Sequence, residues 1–184
     1  MTPEHRHTGD DLLEACLPEG VSAWVAAEKM RRHAEIEEAV SAIRSVTVQF
    51  NPLVTSVEQV CDWMAEAIGH AAETAQQSER LVIPVRYGGD DGPDLDMVAQ
   101  SAGLSADELI SLHTHKDYPV EMIGFTPGFG YLGGLDPVIN VGRLDQPRAR
   151  VLAGSVGIIR GYSCIYPLPG PGGWPLIGRT GHLL

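Results

Sequence analysis

The chain has 184 residues, 43% of them hydrophobic, with 24 acidic side chains against 13 Lys and Arg and a formal net charge of −11. That length holds one large domain or two small ones with a real core, and so acidic a surface repels phosphate backbones and anionic headgroups, which argues against nucleic-acid and membrane partners. No apolar run approaches the ~18–20 residues of a membrane span, the opening Met-Thr-Pro-Glu-His-Arg-His lacks the apolar segment of a signal peptide, and Cys16, Cys61 and Cys164 sit too far apart for a disulfide framework or a CxxC metal site; a reducing cytoplasm and no bound metal are expected.

The first half mixes strands and helices. Asp11–Leu17 reads as a short strand, and Ser22 caps a helix over Ala23–His33 with Trp24, Ala27 and Met30 along one side. Ile36–Val40 is a weaker strand candidate. Ser45–Phe50 alternates cleanly and is rich in β-branched residues, so it is a strand ended by Asn51-Pro52. Thr55 or Ser56 then caps a helix to about Gln76, with Val57, Val60, Met64 and Ile68 on one face. The order β-α-β-β-α suits a small ferredoxin-like unit.

The composition changes near residue 80. Eighteen of the 21 glycines and ten of the 13 prolines lie from Leu81 onward, which places a boundary between residues 1–79 and 80–184. The second part opens with a predicted strand, Arg80–Tyr87, followed by two short helices. Leu95, Val98, Ala99 and Ala102 share a face of the first, Gly103 stops it, and Ser105-x-x-Glu108 is a capping box opening the second, which runs to about His115. After Tyr118 the chain is short strands and turns, the pattern of a compact β-barrel or sandwich.

Three motifs mislead by spelling. Gly128-x-Gly130-x-x-Gly133 matches a dinucleotide fingerprint, but no helical pattern follows it to receive a pyrophosphate. The helix pair Asp94–His115 imitates a DNA-reading motif, yet offers Asp107 and Glu108 where base-reading side chains belong. His113 and His115 are two apart, so on a helix they diverge by about 200° and cannot share one ion.

The chemistry-bearing candidates cluster in the second part. Gly124-Phe-Thr-Pro-Gly-Phe-Gly-Tyr-Leu132 packs aromatics among glycines and a proline, building a rigid irregular loop against the core or a ligand. His113 shares a helical face with Leu109 and Leu112; it is either a satisfied structural group or a general acid–base. Arg143, Arg148 and Arg179 stand on turns stiffened by Pro or Gly, suited to clamp a carboxylate or to brace a loop. Leu152-Ala-Gly-Ser-Val-Gly-Ile158 surrounds Ser155 with small residues that present backbone N–H groups to an oxyanion, or simply turn.

Taken in order, Ile-Pro-Val-Arg-Tyr-Gly-Gly (83–89), Gly-Pro-Asp-Leu (92–95), Met-Ile-Gly-Phe-Thr-Pro-Gly-Phe-Gly-Tyr-Leu (122–132), Arg-Leu-Asp-Gln-Pro-Arg (143–148), Ala-Gly-Ser-Val-Gly-Ile (153–158) and Gly-Gly-Trp-Pro-Leu-Ile-Gly-Arg-Thr (172–180) resemble the allophanate hydrolase subunit 1 family. That family is also described as the B subunit of bacterial 5-oxoprolinase and includes the Kip inhibitor of a sporulation histidine kinase. The resemblance is strong over residues 81–180 and weaker over Arg44–Pro52. It implies an α+β chain: an α/β first domain, which the element order reads as ferredoxin-like, then a cyclophilin-like barrel, cut short here at Leu184. Related domains form a carboxyltransferase-like part of urea carboxylases. The implied activity is hydrolysis of allophanate or ATP-dependent opening of 5-oxoproline to glutamate, with ATP held by this chain or by its partner, the subunit 2 or C protein, in a hetero-oligomer. On this reading a small anionic substrate lies beside Phe125, Pro127, Phe129 and Tyr131, with Arg143 and Ser155 as further binding residues and His113, Arg148 and Arg179 as catalytic ones. The rival reading is a Kip-like binding protein whose groove docks a histidine kinase.

Overall fold

The alternation in Ser-Val-Thr-Val-Gln-Phe sets the first sheet. In the computed structural model, which describes residues 5–74 and 79–182, Ser45–Phe50 (β4) buries Val46, Val48 and Phe50, as a period of two requires. It pairs antiparallel with Leu12–Cys16 (β2) on one side and Ile36–Ser41 (β3) on the other. A strand not expected from the sequence, His5–His7 (β1), extends the sheet beyond β2, giving the order β1-β2-β4-β3.

Two helices contribute to this unit's core. Ala23–Met30 (α1) and Val57–Glu73 (α2) are capped by Ser22 and Ser56, whose side chains accept from Val25 N and Gln59 N. Val60, Met64 and Ile68 are buried along α2 as expected, joined by Ala67 and Ala71; the predicted end near Gln76 lies outside the described residues. The α1 stripe needs correcting. Ala23, Ala26, Ala27 and Met30 face inward while Trp24 is 59% exposed, because an i, i+3, i+4, i+7 row follows the 3.6-residue turn and an i, i+3, i+6 row drifts off it.

The chain forms two compact units, Met1–Glu79 and Arg80–Leu184. In the second, the predicted strand over Arg80–Tyr87 shrinks to Arg86–Tyr87 (β5), with Leu81 and Val82 exposed; Pro84 in that run has no N–H for a ladder. A 3-10 turn, Gly89–Asp91, leads to helices Leu95–Ser101 (α3) and Ala106–Thr114 (α4). Gly103 adopts φ +70° after α3, and the Ser105–Glu108 capping box is formed.

Seven strands follow: Val120–Ile123 (β6), Gly130–Gly133 (β7), Arg148–Val151 (β8), Ser155–Ile159 (β9), Tyr162–Ile165 (β10), Gly170–Gly172 (β11) and Leu176–Arg179 (β12). The glycines of the dinucleotide-like spelling are therefore partly β7 itself. Six strands form an antiparallel sheet in the order β5-β12-β9-β10-β7-β6, and β8 with β11 makes a separate ribbon. Among the described residues β5 and β6 are edges, so this ladder does not close on itself.

The sheet separates two apolar clusters, and strand alternation assigns residues to them. Val156, Ile158, Ile165 and Ile177 pack with Leu95, Val98 and Leu109 of the helices. Cys164, Tyr166, Trp174 and Leu176 pack with Phe129 and with Val151 of the ribbon. No helix among the described residues is long and apolar enough to cross a membrane.

Candidate functional site

The aromatic cluster opens into a cleft at the 124–132 loop. Phe129 is the hub, with its ring centroid 5.3 Å from Phe125, 5.2 Å from Tyr131, 5.2 Å from Tyr166 and 5.8 Å from Trp174, all edge to face. This is the arrangement that ring quadrupoles favour. Arg143, Gly172 and Gly173 complete the lining. The cleft is narrow, about 30 Å³, against roughly 150 Å³ for a cavity that holds benzene. Gly172 is needed there: a Cβ on it would lie 2.5 Å from Tyr166 Oη and 2.9 Å from Val151 Cγ2.

Two cations attend this wall. Arg143 lies exposed at the cleft and also lines a wider neighbouring groove of about 320 Å³ with Met97, Ser101, Asn140 and Asp145. Arg148 stands opposite Gly172 in the β8–β11 register. Burial pushes the Tyr166 hydroxyl up to about 12, opposed in part by the Trp174 backbone and by Arg143 and Arg148, so it stays protonated and available as a donor.

Arg148 is braced from below. Its Nη2 donates to Asp94 Oδ1 at 2.8 Å, and Asp94 Oδ2 accepts from Leu176 N at 2.7 Å. Asp94 N in turn donates to Leu176 O. The Gly-Pro-Asp-Leu segment thus ties the start of α3 to β12 and fixes one guanidinium, while Arg148 Nη1 is buried without a hydrogen-bond partner.

The structure does not bring all the predicted residues together. Phe125, Phe129, Tyr131 and Arg143 share the cleft and Arg148 adjoins it, but Pro127 is an exposed turn residue absent from the lining. Arg179 and Ser155 pair across β12 and β9. There Arg179 reaches Asp91 at 3.5 Å, beside the Arg86–Asp91 contact at 2.7 Å. Both arginines hold the Asp91 carboxyl below its usual range, the Arg86 hydrogen bond being the larger cause.

His113 is on the other face of the sheet from the cleft. It bonds Tyr87 Oη through Nδ1 at 2.7 Å and Ser163 Oγ through Nε2 at 2.9 Å, and it packs against Tyr118. Ser163 belongs to the helix-side alternation of β10, whereas Cys164 and Tyr166 face the aromatics. Burial lowers the His113 pKa to about 4, which leaves a neutral ring at pH 7 with both nitrogens engaged. The grouping of His113 with the aromatic loop is therefore corrected.

Tyr166 and Trp174 are cleft residues that sequence reasoning missed. Their signal was present: they bracket Pro167-Leu-Pro-Gly-Pro-Gly-Gly, and aromatics at both ends of a glycine-proline turn are placed to face one another.

The profile of the family described as carboxyltransferase domain, subdomain C and D, matches residues 10–183. The chain is 38% identical over 162 residues to the 5-oxoprolinase B subunit of Escherichia coli O157:H7, covering 85% of this chain and 72% of that protein. It is 40% identical over 154 residues to the 5-oxoprolinase B subunit of Bacillus subtilis strain 168, covering 78% of this chain and 64% of that one. The crystal structure of TTHA0988 superposes with a TM-score of 0.75 at 33% identity, over 92% of this chain and 35% of its own. The chain thus spans roughly two thirds to three quarters of these curated relatives and about a third of the solved structure.

Proposed function

The chain belongs to the carboxyltransferase-domain family, subdomains C and D, and on that premise we propose that it is the B-type subunit of an ATP-dependent hydrolase that opens 5-oxoproline to glutamate. Two curated relatives at 38% and 40% identity carry the name of the 5-oxoprolinase B subunit, which favours 5-oxoproline over allophanate as substrate. The observation that carries the reading is the aromatic cleft with Arg143 at its mouth and the braced Arg148 beside Tyr166. A small ring with one carboxylate needs a flat apolar wall and a fork-shaped cation.

In this reading the ring lies against Phe129 and Tyr131, beside Phe125, and Arg143 takes the carboxylate. Arg148 and the Tyr166 hydroxyl supply donors toward the amide oxygen. Such donors stabilise charge that develops when an amide carbonyl is attacked. Arg179, Ser155 and His113 act in support, the first two by fixing the 89–91 turn against β9 and β12, the last by tying α4 to the sheet.

ATP is assigned to the partner, the subunit 2 or C protein. Among the described residues Arg143 is the sole Lys or Arg lining either cleft, too little positive charge for a triphosphate, which recruits several cations or a glycine-rich helix start. The compartment is the cytoplasm. The fold reading belongs to the same proposal: β2-α1-β3 with β4 between them supports a ferredoxin-like unit, and the six-stranded sheet, with helices on one face and the β8–β11 ribbon packed on the other, supports a partly open cyclophilin-like barrel.

The test is reconstitution. The chain is combined with its partner subunits and ATP-dependent loss of 5-oxoproline is measured. Activity that needs all subunits and falls with Arg148→Ala is the expected result; full activity without this chain would refute it.

A further inference from the structure

We propose that Phe125 is the gate of the aromatic cleft and the residue that sets which rings it admits. This deepens the reading given above and rests on it for the ligand class, a small planar amide ring. At about 30 Å³ the cleft falls well short of the roughly 150 Å³ that holds a benzene-sized ring, so a five-membered ring enters only if a wall moves. Three of the aromatic walls cannot. Phe129, Tyr166 and Trp174 are 2%, 3% and 5% exposed and locked edge to face. Among the aromatic walls Phe125 is the exposed one, at 62%, touching the cluster through Phe129.

The backbone under Phe125 explains why its ring stands there. Phe125 takes φ +71°, and Thr126 N donates to Gly124 O across it at 2.9 Å. A two-residue bond around a positive φ is the rare, strained form of γ-turn. Non-glycine residues hold such a conformation only where surroundings over-determine it. Those surroundings are present: Gly124 N donates to Phe129 O and Phe129 N donates to Thr126 O, both at 3.0 Å. With the main chain fixed on both sides, the freedom left is rotation of the Phe125 side chain. Its edge-to-face contact with Phe129 biases that rotation toward closure by roughly two- to tenfold. Because the turn holds Cα in place, side-chain size at 125 sets the width of the opening.

The test reads the gate without catalysis. Trp24→Phe and Trp63→Phe leave Trp174, in the cleft, as the lone tryptophan, and acrylamide, itself a small planar amide, is the probe. In this background Phe125→Ala is expected to raise the quenching constant of Trp174 about two- to tenfold, with Phe125→Leu between it and the parent. In the reconstituted enzyme, Phe125→Ala is expected to lower KM for the six-membered lactam acid, 6-oxopiperidine-2-carboxylate, relative to 5-oxoproline. Quenching that is unchanged in both variants overturns the gate. If quenching rises but neither lactam is turned over, the gate stands and the proposed activity fails.

Discussion

The two units bury different things. The core of the first, from Leu13 through Phe50 to Ala71, is apolar throughout. The polar residues buried as whole side chains among the described residues, Asp94, His113, Ser155, Ser163 and Thr180, all lie in the second, while in the first the ring nitrogens of half-buried His5 are shielded without a partner. A buried polar group costs free energy unless it is bonded, so a unit that carries several is holding particular geometry as well as a fold. Asp94 holds Arg148 and Leu176; His113 holds Tyr87 and Ser163. The first unit contributes stability through close packing, and the second gives up part of its stability for orientation.

The first unit is most sensitive at the centre of its core. Phe50 is 1% exposed, and Phe50→Ala is expected to cost about 3–5 kcal/mol in urea denaturation, with no change in the binding of small acids. In the second unit the counterpart is polar. Asp94→Ala strands Arg148 and the Leu176 N–H, and is expected to cost about 3 kcal/mol while also lowering activity.

His113 gives the same comparison a pH axis. Its folded pKa of about 4 lies below the ordinary value of 6.5, so the unfolded chain binds the extra proton. The contribution is fully present above pH 6.5 and is lost as pH falls toward 4, amounting to roughly 3 kcal/mol at the acid end. The difference in stability between the parent and His113→Gln, followed by denaturation from pH 7 to 4, is expected to shrink over that window; a constant difference would contradict a buried neutral histidine. Gly172→Ala is a smaller change, expected to cost about 1–3 kcal/mol as the new methyl meets Tyr166 Oη, and to weaken ligand binding along with stability.

Much of the fold was legible because its signals are local. Ser22, Ser56 and Ser105 cap the helices they announce, and Ser45–Phe50 is a strand with the bounds its alternation gave. The site was legible only in part. The aromatic loop and Arg143 line one cleft. The partners that decide roles are distant in sequence: Asp94 is 54 residues from Arg148 and Ser163 is 50 from His113. A helical face showed that His113 points inward, but not which side of a sheet it meets. Nor does composition reveal that Phe125, between glycines at 124 and 128, takes a positive φ of its own.

Arg143 is exposed and lines both clefts, so the proposed carboxylate contact is tested most directly there. The decisive measurement is KM for 5-oxoproline in the reconstituted enzyme bearing Arg143→Ala, with the urea midpoint recorded alongside. The expected result is a rise in KM of about ten- to hundredfold, the worth of one charge-assisted hydrogen bond, at an unchanged midpoint. A KM equal to that of the parent would contradict the placement of the substrate carboxylate at this cleft.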